Sequence, residues 1–202
     1  MNSTSHPADN RENPRREPRL PPGQILTDKW PVLHYGSVPR VDLERWDLKV
    51  HGLVAHAMTW NWEQFQALPR VRVRSDIHCV TRWSRYDNDW EGVSLSEVLR
   101  RVSPAPNAGF AIVHAEQGFT TNLPLKELDR DDVLLADRHD GESLTPEHGW
   151  PVRLVVPGRY FWKSAKWIRG IELVEKDRPG FWEQNGYHNE ADPWSEQRFS
   201  EW

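Results

Sequence analysis

The stretch Ser75-Asp76-Ile77-His78-Cys79-Val80-Thr81-Arg82-Trp83-Ser84 holds the chain's single cysteine, and the reading of the rest turns on it. Counting back from Cys79, Val71, Val73, Ser75 and Ile77 share its side of a period-two strand, while Arg72, Arg74, Asp76 and His78 fall on the other. The spacing predicts a strand that carries the sulfur out of its packed face and ends in a charged, aromatic loop. A lone cysteine cannot close an intrachain disulfide, and no run of thiolates and imidazoles at zinc-site spacing accompanies it. Three readings of the sulfur stay open on these residues: a small buried hydrophobe, a covalent nucleophile, or a thiolate donated to a cofactor metal. His78 points to the opposite face of a regular strand and is not a candidate ligand.

Outward from this segment, Met1 to Gln24 is rich in Pro, Asn, Arg and Glu and nearly free of large apolar side chains, which predicts a flexible arm over residues 1–24. Its Arg15-Arg16 pair lacks the apolar stretch that a signal peptide needs, so a cytoplasmic location is expected. Trp30-Pro31-Val32-Leu33-His34-Tyr35-Gly36 opens the ordered part, and Asp47 to Gly52 reads as a strand ending at a glycine turn. Asn61 and Gln64 start a short helix that Pro69 ends, and Ser94-Leu95-Ser96-Glu97 reads as a capping box opening a helix along Leu95, Val98, Leu99 and Val102. Ala111–His114, Val133–Ala136, Val152–Val156 and Ile168–Val174 read as further strands, with one helical turn opened by Pro124. Many short strands with few helices predict a mixed, β-rich α+β single domain over residues 25–174. The tail, residues 175–202, carries Phe181, Trp182, Tyr187, Trp194, Phe199 and Trp202 and is expected to wrap back onto that domain.

Composition narrows the function classes. At 202 residues one domain suffices, and a net charge of -4 from well-mixed acids and bases gives no footprint for nucleic acid or an anionic membrane. No apolar run approaches the roughly 20 residues that span a bilayer. Twelve tryptophans predict an aromatic-lined pocket or a heavily aromatic core. Neither a dinucleotide-binding glycine pattern nor a P-loop is present, and a single cysteine supports neither a Cys-x-x-Cys-His haem attachment nor an iron-sulfur cluster.

Two blocks then point to a family. Cys79-Val80-x-x-Trp83 after a strand resembles the molybdenum-binding segment of the sulfite oxidase family of molybdopterin enzymes. The run from His148-Gly149-Trp150-Pro151-Val152-Arg153 through Ser164-Ala165-Lys166-Trp167-Ile168 resembles that family's second cofactor-binding stretch, in the same order and at a matching separation. The resemblance covers Trp30 to Val174 and is nearest to small, single-domain bacterial sulfite oxidase-like proteins, whose ending is similar to Arg178-Pro179-Gly180-Phe181-Trp182-Glu183-Gln184-Asn185-Gly186-Tyr187-His188.

That resemblance implies the sulfite oxidase-type molybdopterin-binding fold, a molybdenum-molybdopterin cofactor and two-electron oxygen-atom transfer. It makes Cys79 the metal ligand, sets Arg153 and Lys166 on the phosphate or pterin, and gives Ser164 and Ala165 the role of backbone amide donors. His148 matches a pterin-contacting position, His114 and Ala115 lie near another, and His34 and Tyr35 stand where the first pterin contacts occur. Arg82 and Trp83, following the ligand, are expected to border the substrate. The sulfite-oxidising branch typically continues from its cysteine through Gly-Asn-Arg-Arg, whereas this chain has Val80-Thr81-Arg82-Trp83-Ser84-Arg85. Reduction of an S-oxide or N-oxide is therefore the expected reaction, with sulfite oxidation, or a metal-free aromatic-rich binding module, as the alternatives. The partners expected are a small-molecule oxide or oxyanion and a separate electron-transfer protein, with no nucleic acid and no membrane insertion. On periodicity alone, Arg153 reads as the outward member of a half-buried strand, Lys163 and Lys166 as loop cations, and Arg82 as a partner for Asp87 or Asp89.

Overall fold

The computed structural model describes residues 18–200. Met1 to Glu17, with the Arg15-Arg16 pair and most of the arm, lie outside the described residues. From the N-terminal side come β1 (Ile25–Leu26), β2 (Asp47–Gly52), β3 (Met58–Asn61), α1 (Trp62–Gln66), β4 (Arg70–His78), β5 (Trp83–Ser94) and α2 (Leu95–Val102). There follow β6 (Phe110–Ala115), β7 (Thr120–Pro124), α3 (Leu125–Leu128), β8 (Leu134–His139), β9 (Glu142–Ser143), β10 (Arg153–Val155), β11 (Ile168–Val174) and α4 (Phe181–Gln184). Among these residues no helix is long and apolar enough to cross a membrane.

β4 and β5 form an antiparallel hairpin whose tip is Cys79-Val80-Thr81-Arg82, closed by Cys79 N–H donating to Trp83 O at 2.9 Å and Arg82 N–H to Cys79 O at 3.0 Å. The loop expected after Cys79 is therefore only the tip, and residues 83–94 are the long strand β5. Its sequence conceals this because cross-strand charge pairs replace the usual apolar alternation: Arg72 meets Glu91 at 3.0 Å and Arg74 meets Asp89 at 2.9 Å. Inside, the buried Asn88 amide donates to Ser75 O and Arg85 O, which satisfies a polar side chain within the sheet. β5 also pairs with β1 near its start and β8 near its end, and β8 continues to β10 and β9. At the β5–β8 register shift Gly92 is required, since a Cβ there would fall 2.1 Å from the Leu135 carbonyl oxygen.

A second sheet has the order β3-β2-β11-β6-β7, with β2 and β11 parallel and the other pairs antiparallel. Strand β7, unmarked in the sequence apart from Pro124, pairs with β6. The main core fills the space these sheets and α2 enclose, with Val93, Leu135 and Leu154 from the first sheet meeting Leu48, Val113 and Ile171 from the second. The opposite face of the first sheet is also covered: Ile77, Trp90, Leu134, Ala136 and Val155 form a smaller cluster with Trp30, Trp83 and Phe161 around it. Burial on both faces explains the continuous apolar runs of β8 and β10.

Local capping divides between the two helices predicted to use it. Asn61 accepts from Gln64 N–H at 2.9 Å while Gln64 Oε1 accepts from Asn61 N–H at 3.0 Å, a reciprocal cap on α1. The box expected at Ser94 does not form. Leu95 N–H instead donates to Val133 O, and Glu97 pairs with Arg100 and Arg101 on its own helix.

Both ends of the described chain are bound to the hairpin. Residues 18–24, assigned by the sequence to the flexible arm, are held by Arg19, which forks onto Asp76 at 2.7 and 2.8 Å and reaches Asp87 at 2.6 Å. Composition hid this because the partners that hold the segment, Asp76, Asp87, Trp194 and Arg198, are distant in the chain. The C-terminal segment packs back through a buried ion pair, Lys163 Nζ to Glu183 at 2.6 Å, in which both side chains are almost wholly excluded from solvent. Lys163 also donates to Asn122 O, and Asn122 in turn binds Asp177 and Asn189. Lys163 is thus the fastener of the tail rather than a loop cation.

Candidate functional site

A cavity of about 280 Å³ opens beside the hairpin tip. Its wall takes Cys79, Val80, Thr81 and Trp83 from the tip and the start of β5, and His34 and Tyr35 from the segment before β2. Glu116, Gln117 and Phe119 come from the β6–β7 turn. Arg153 of β10 and Ser164, Ala165 and Lys166 from the loop before β11 close the far side, and Trp182 and Tyr187 of the tail complete the rim. Residues more than a hundred positions apart therefore meet in one space.

The Cys79 thiol is buried and lies 3.1 Å from the Thr81 hydroxyl. Burial pushes its pKa up, and the Thr81 hydroxyl acts against that. Tyr187 faces the same region, and burial raises its hydroxyl above the ordinary tyrosine value, with the nearby Cys79 charge adding to the effect. Trp83, which lines the wall, has a buried indole N–H without a partner among the described residues.

Arg153 is 1% exposed, so the half-buried outward position that periodicity suggests is overturned. It shares the face of β10 with Val155. Its guanidinium donates to His148 O at 2.9 Å and Ser164 O at 2.8 Å and stacks over Phe161 at 4.1 Å. No carboxylate among the described residues pairs with it, and burial brings its pKa down to about 9. Lys166 donates to Leu33 O at 2.8 Å and to Glu147 O; burial, then repulsion from Arg153, lowers it to about 7. Two desolvated cations thus face one cavity, an arrangement that is expensive until an anion enters.

Not every expected residue reaches the cavity. Arg82 is exposed and sits in the left-handed region at φ 73°, and its guanidinium lies beside Gly23, close to Glu196 and Arg198, not in the wall. Neither does it pair with Asp87 or Asp89, which Arg19 and Arg74 occupy. His148 stands behind the wall, its ring stacked on Trp30 at 3.8 Å, and contributes only its carbonyl to Arg153. His114 turns to the outer face of the second sheet and meets Glu172 at 3.2 Å, and Ala115 packs in the sheet, so the β6 contribution comes from Glu116 and Gln117 instead. Ser164 N–H already donates to Phe161 O and its hydroxyl accepts from Val156 N–H, so its amide is not free for a ligand. His78, on the face away from Cys79, is buried under Trp194 and bonded to Ser84 Oγ at 2.8 Å.

Comparison with known proteins follows the same outline. Residues 35–182 match the model described as the oxidoreductase molybdopterin-binding domain. The oxidoreductase YuiH of Bacillus subtilis is 51% identical over 183 residues, covering 90% of this chain and 92% of that protein. A putative protein-methionine-sulfoxide reductase subunit, YedZ1 of Azospira oryzae, is 27% identical over 83% of this chain, which spans 64% of that relative's length. In fold, the chain aligns with the sulfane dehydrogenase SoxCD of Paracoccus pantotrophus at a TM-score of 0.67 and 22% identity, over 76% of this chain and 43% of the other. With its thiol, its two desolvated cations and this match across most of its length, the chain belongs to the molybdopterin-binding oxidoreductases of the sulfite oxidase type.

Proposed function

We propose that the cavity holds the molybdenum-molybdopterin cofactor with its metal at Cys79, and that the enzyme reduces a partly apolar S-oxide or N-oxide there. The residues fit the cofactor. Arg153 is a buried guanidinium without a carboxylate among the described residues, and Lys166 faces the same space, so a phosphate-bearing group supplies the charge both require. The sulfur of Cys79 is a soft donor in the wall of the same cavity. When bound, the cofactor supplies two-electron oxygen-atom exchange at its metal.

The chain's own part is to hold, orient and exclude water. Arg153 and Lys166 take the anionic end. Cys79 gives its thiolate to the metal, and the Trp83 ring lines the same wall. Tyr187 lines the same cavity, and its hydroxyl would supply a proton to the substrate oxygen. In the overall conversion the oxide takes up two electrons and two protons and releases water. With one cysteine and no haem-attachment sequence in this chain, the electrons come from a separate redox partner.

The observation that carries the substrate reading is the wall around Cys79. It is made of Val80, Thr81, Trp83, Trp182 and Tyr187, while Arg82 is turned out of it. A sulfite dianion finds no cation there beyond those committed to the cofactor, whereas an organic oxide can stack on indole. The name of the Azospira relative agrees with this choice. The test compares sulfite oxidation with sulfoxide and N-oxide reduction, driven by an artificial donor, at matched molybdenum loading. Oxide reduction faster than sulfite oxidation is expected; efficient sulfite oxidation with no oxide turnover overturns the substrate reading.

A further inference from the structure

The backbone of the hairpin tip is gripped from behind by side chains from both ends of the described chain. Gln24, only 8% exposed, donates from Nε2 to the Cys79 carbonyl at 3.1 Å. Its own Oε1 accepts from Ser84 Oγ at 3.4 Å, and Ser84 lies against His78 under Trp194. Arg198, 6% exposed, donates from Nη1 to the Val80 carbonyl at 2.8 Å and from Nη2 to Pro22 O at 3.4 Å. Trp194 Nε1–H donates to Pro18 O at 2.7 Å and ties the two ends together.

Arg198 is poorly compensated for a buried cation. The nearest carboxylate, Glu196, is 3.7 Å away and about half exposed, and the Arg198 Nε–H is buried with no acceptor. Its guanidinium lies over the Tyr160 ring at 4.9 Å. A bond to a carbonyl one residue from the sulfur, a buried positive charge and a shortage of local anions converge on one arrangement.

We propose that Arg198 is a positioning residue for the metal thiolate: it fixes the Val80-Thr81 peptide, next to the Cys79-Val80 peptide that Gln24 holds, and places a permanent positive charge beside the metal centre. The inference rests on Cys79 being the metal ligand. Fixing these two consecutive peptides sets the direction of the Cys79 side chain, as outer-shell hydrogen bonds set metal ligands generally. The charge favours the electron-richer, reduced state of the centre, so it raises the reduction potential.

The experiment uses the molybdenum-loaded enzyme and three variants: Arg198→Met, Arg198→Lys and, as a control, Arg159→Met, which removes the ion pair to Glu127 without touching the tip. Molybdenum content, midpoint potential and the paramagnetic resonance spectrum of the half-reduced centre are recorded for each and normalised to metal. In Arg198→Met the potential falls and the spectrum changes; Arg198→Lys keeps the larger part of the potential because the charge remains; Arg159→Met matches the wild type in both. Wild-type potential and spectrum in both Arg198 variants, or an equal shift in Arg159→Met, overturns the proposal. If Arg198→Met does not fold, Arg198→Lys decides alone: an altered spectrum supports the role, and a wild-type spectrum overturns it. A wild-type protein purified without molybdenum after expression in a cofactor-producing host overturns the metal assignment itself, and this inference with it.

Discussion

Two sets of residues line the cavity: Arg153 and Lys166, two basic side chains held by carbonyls and aromatic rings, and Val80, Trp83, Trp182 and Tyr187, which share the cavity wall with the Cys79 thiol. The cationic set is built from one continuous run, residues 148–167, on and beside β10. The aromatic set is assembled from the hairpin tip and the C-terminal segment. Desolvated cations without acidic partners are unfavourable in the protein alone and favourable once an anionic ligand is present, so the first set is a holder. Apolar walls impose no such demand and exclude water, which suits the second set to the substrate role proposed for it. The contrast teaches that the anion-holding residues come from one run of the chain, whereas the residues lining the wall with Cys79 are gathered from distant parts of it.

The division breaks most severely if the tail is unfastened. Lys163→Met leaves Glu183 buried without its partner, which costs about 3–5 kcal/mol for a pair of this kind. Thermal unfolding should show that loss, together with higher exposure of the tail to protease, while Arg153 and the cofactor phosphate end keep their contacts. Tyr187→Phe sharpens the comparison from the substrate side: it removes one proton donor and is expected to lower kcat for oxide reduction about 100-fold, within the range for general acid catalysis. Molybdenum and pterin content should be unchanged in that variant.

Arg153→Met addresses the holder. It removes a charge-assisted partner of the anionic ligand, worth about 1.5–3 kcal/mol, so pterin content after purification should fall about tenfold or more at limiting cofactor. Measured per molybdenum atom, oxide turnover should remain close to wild type. The smallest effect is expected at Arg82. Because its guanidinium lies outside the wall, Arg82→Ala should change kcat less than about twofold, inside the ordinary tolerance for a surface substitution. A large loss there would return Arg82 to the substrate site and narrow the difference between the two sets.

That Arg153, Ser164, Ala165 and Lys166 line one cavity with Cys79 was legible in the sequence, because the first four sit in one run and Cys79 sits at the end of a strand that period-two spacing locates. The aromatic set was less legible. Trp83 lies next to the ligand, but Trp182 and Tyr187 enter through contacts spanning the whole chain, for which local periodicity carries no signal; the excess of aromatics in the tail was the one hint. His148 and His114 illustrate the same limit, since spacing assigns each to its segment and not to the side it faces. One stacks behind Trp30 and the other pairs with Glu172 on the outer sheet face. β5 was missed because ion pairs to β4 and a buried asparagine do the work that alternating hydrophobes usually do. The Arg19 and Arg198 anchors were invisible for the reason that hid Tyr187: the chain ends meet the hairpin only in three dimensions.

Central to the account is the placement of the metal at the hairpin tip through the Cys79 sulfur. X-ray absorption at the molybdenum edge counts sulfur neighbours directly. Wild-type enzyme and Cys79→Ser, loaded with cofactor, are compared at equal metal content. The account predicts one sulfur neighbour fewer in Cys79→Ser, with oxide turnover lost and thermal stability little changed, because a hydroxyl is a far poorer donor to this metal than a thiolate. An unchanged sulfur count in a variant that still binds molybdenum would contradict it.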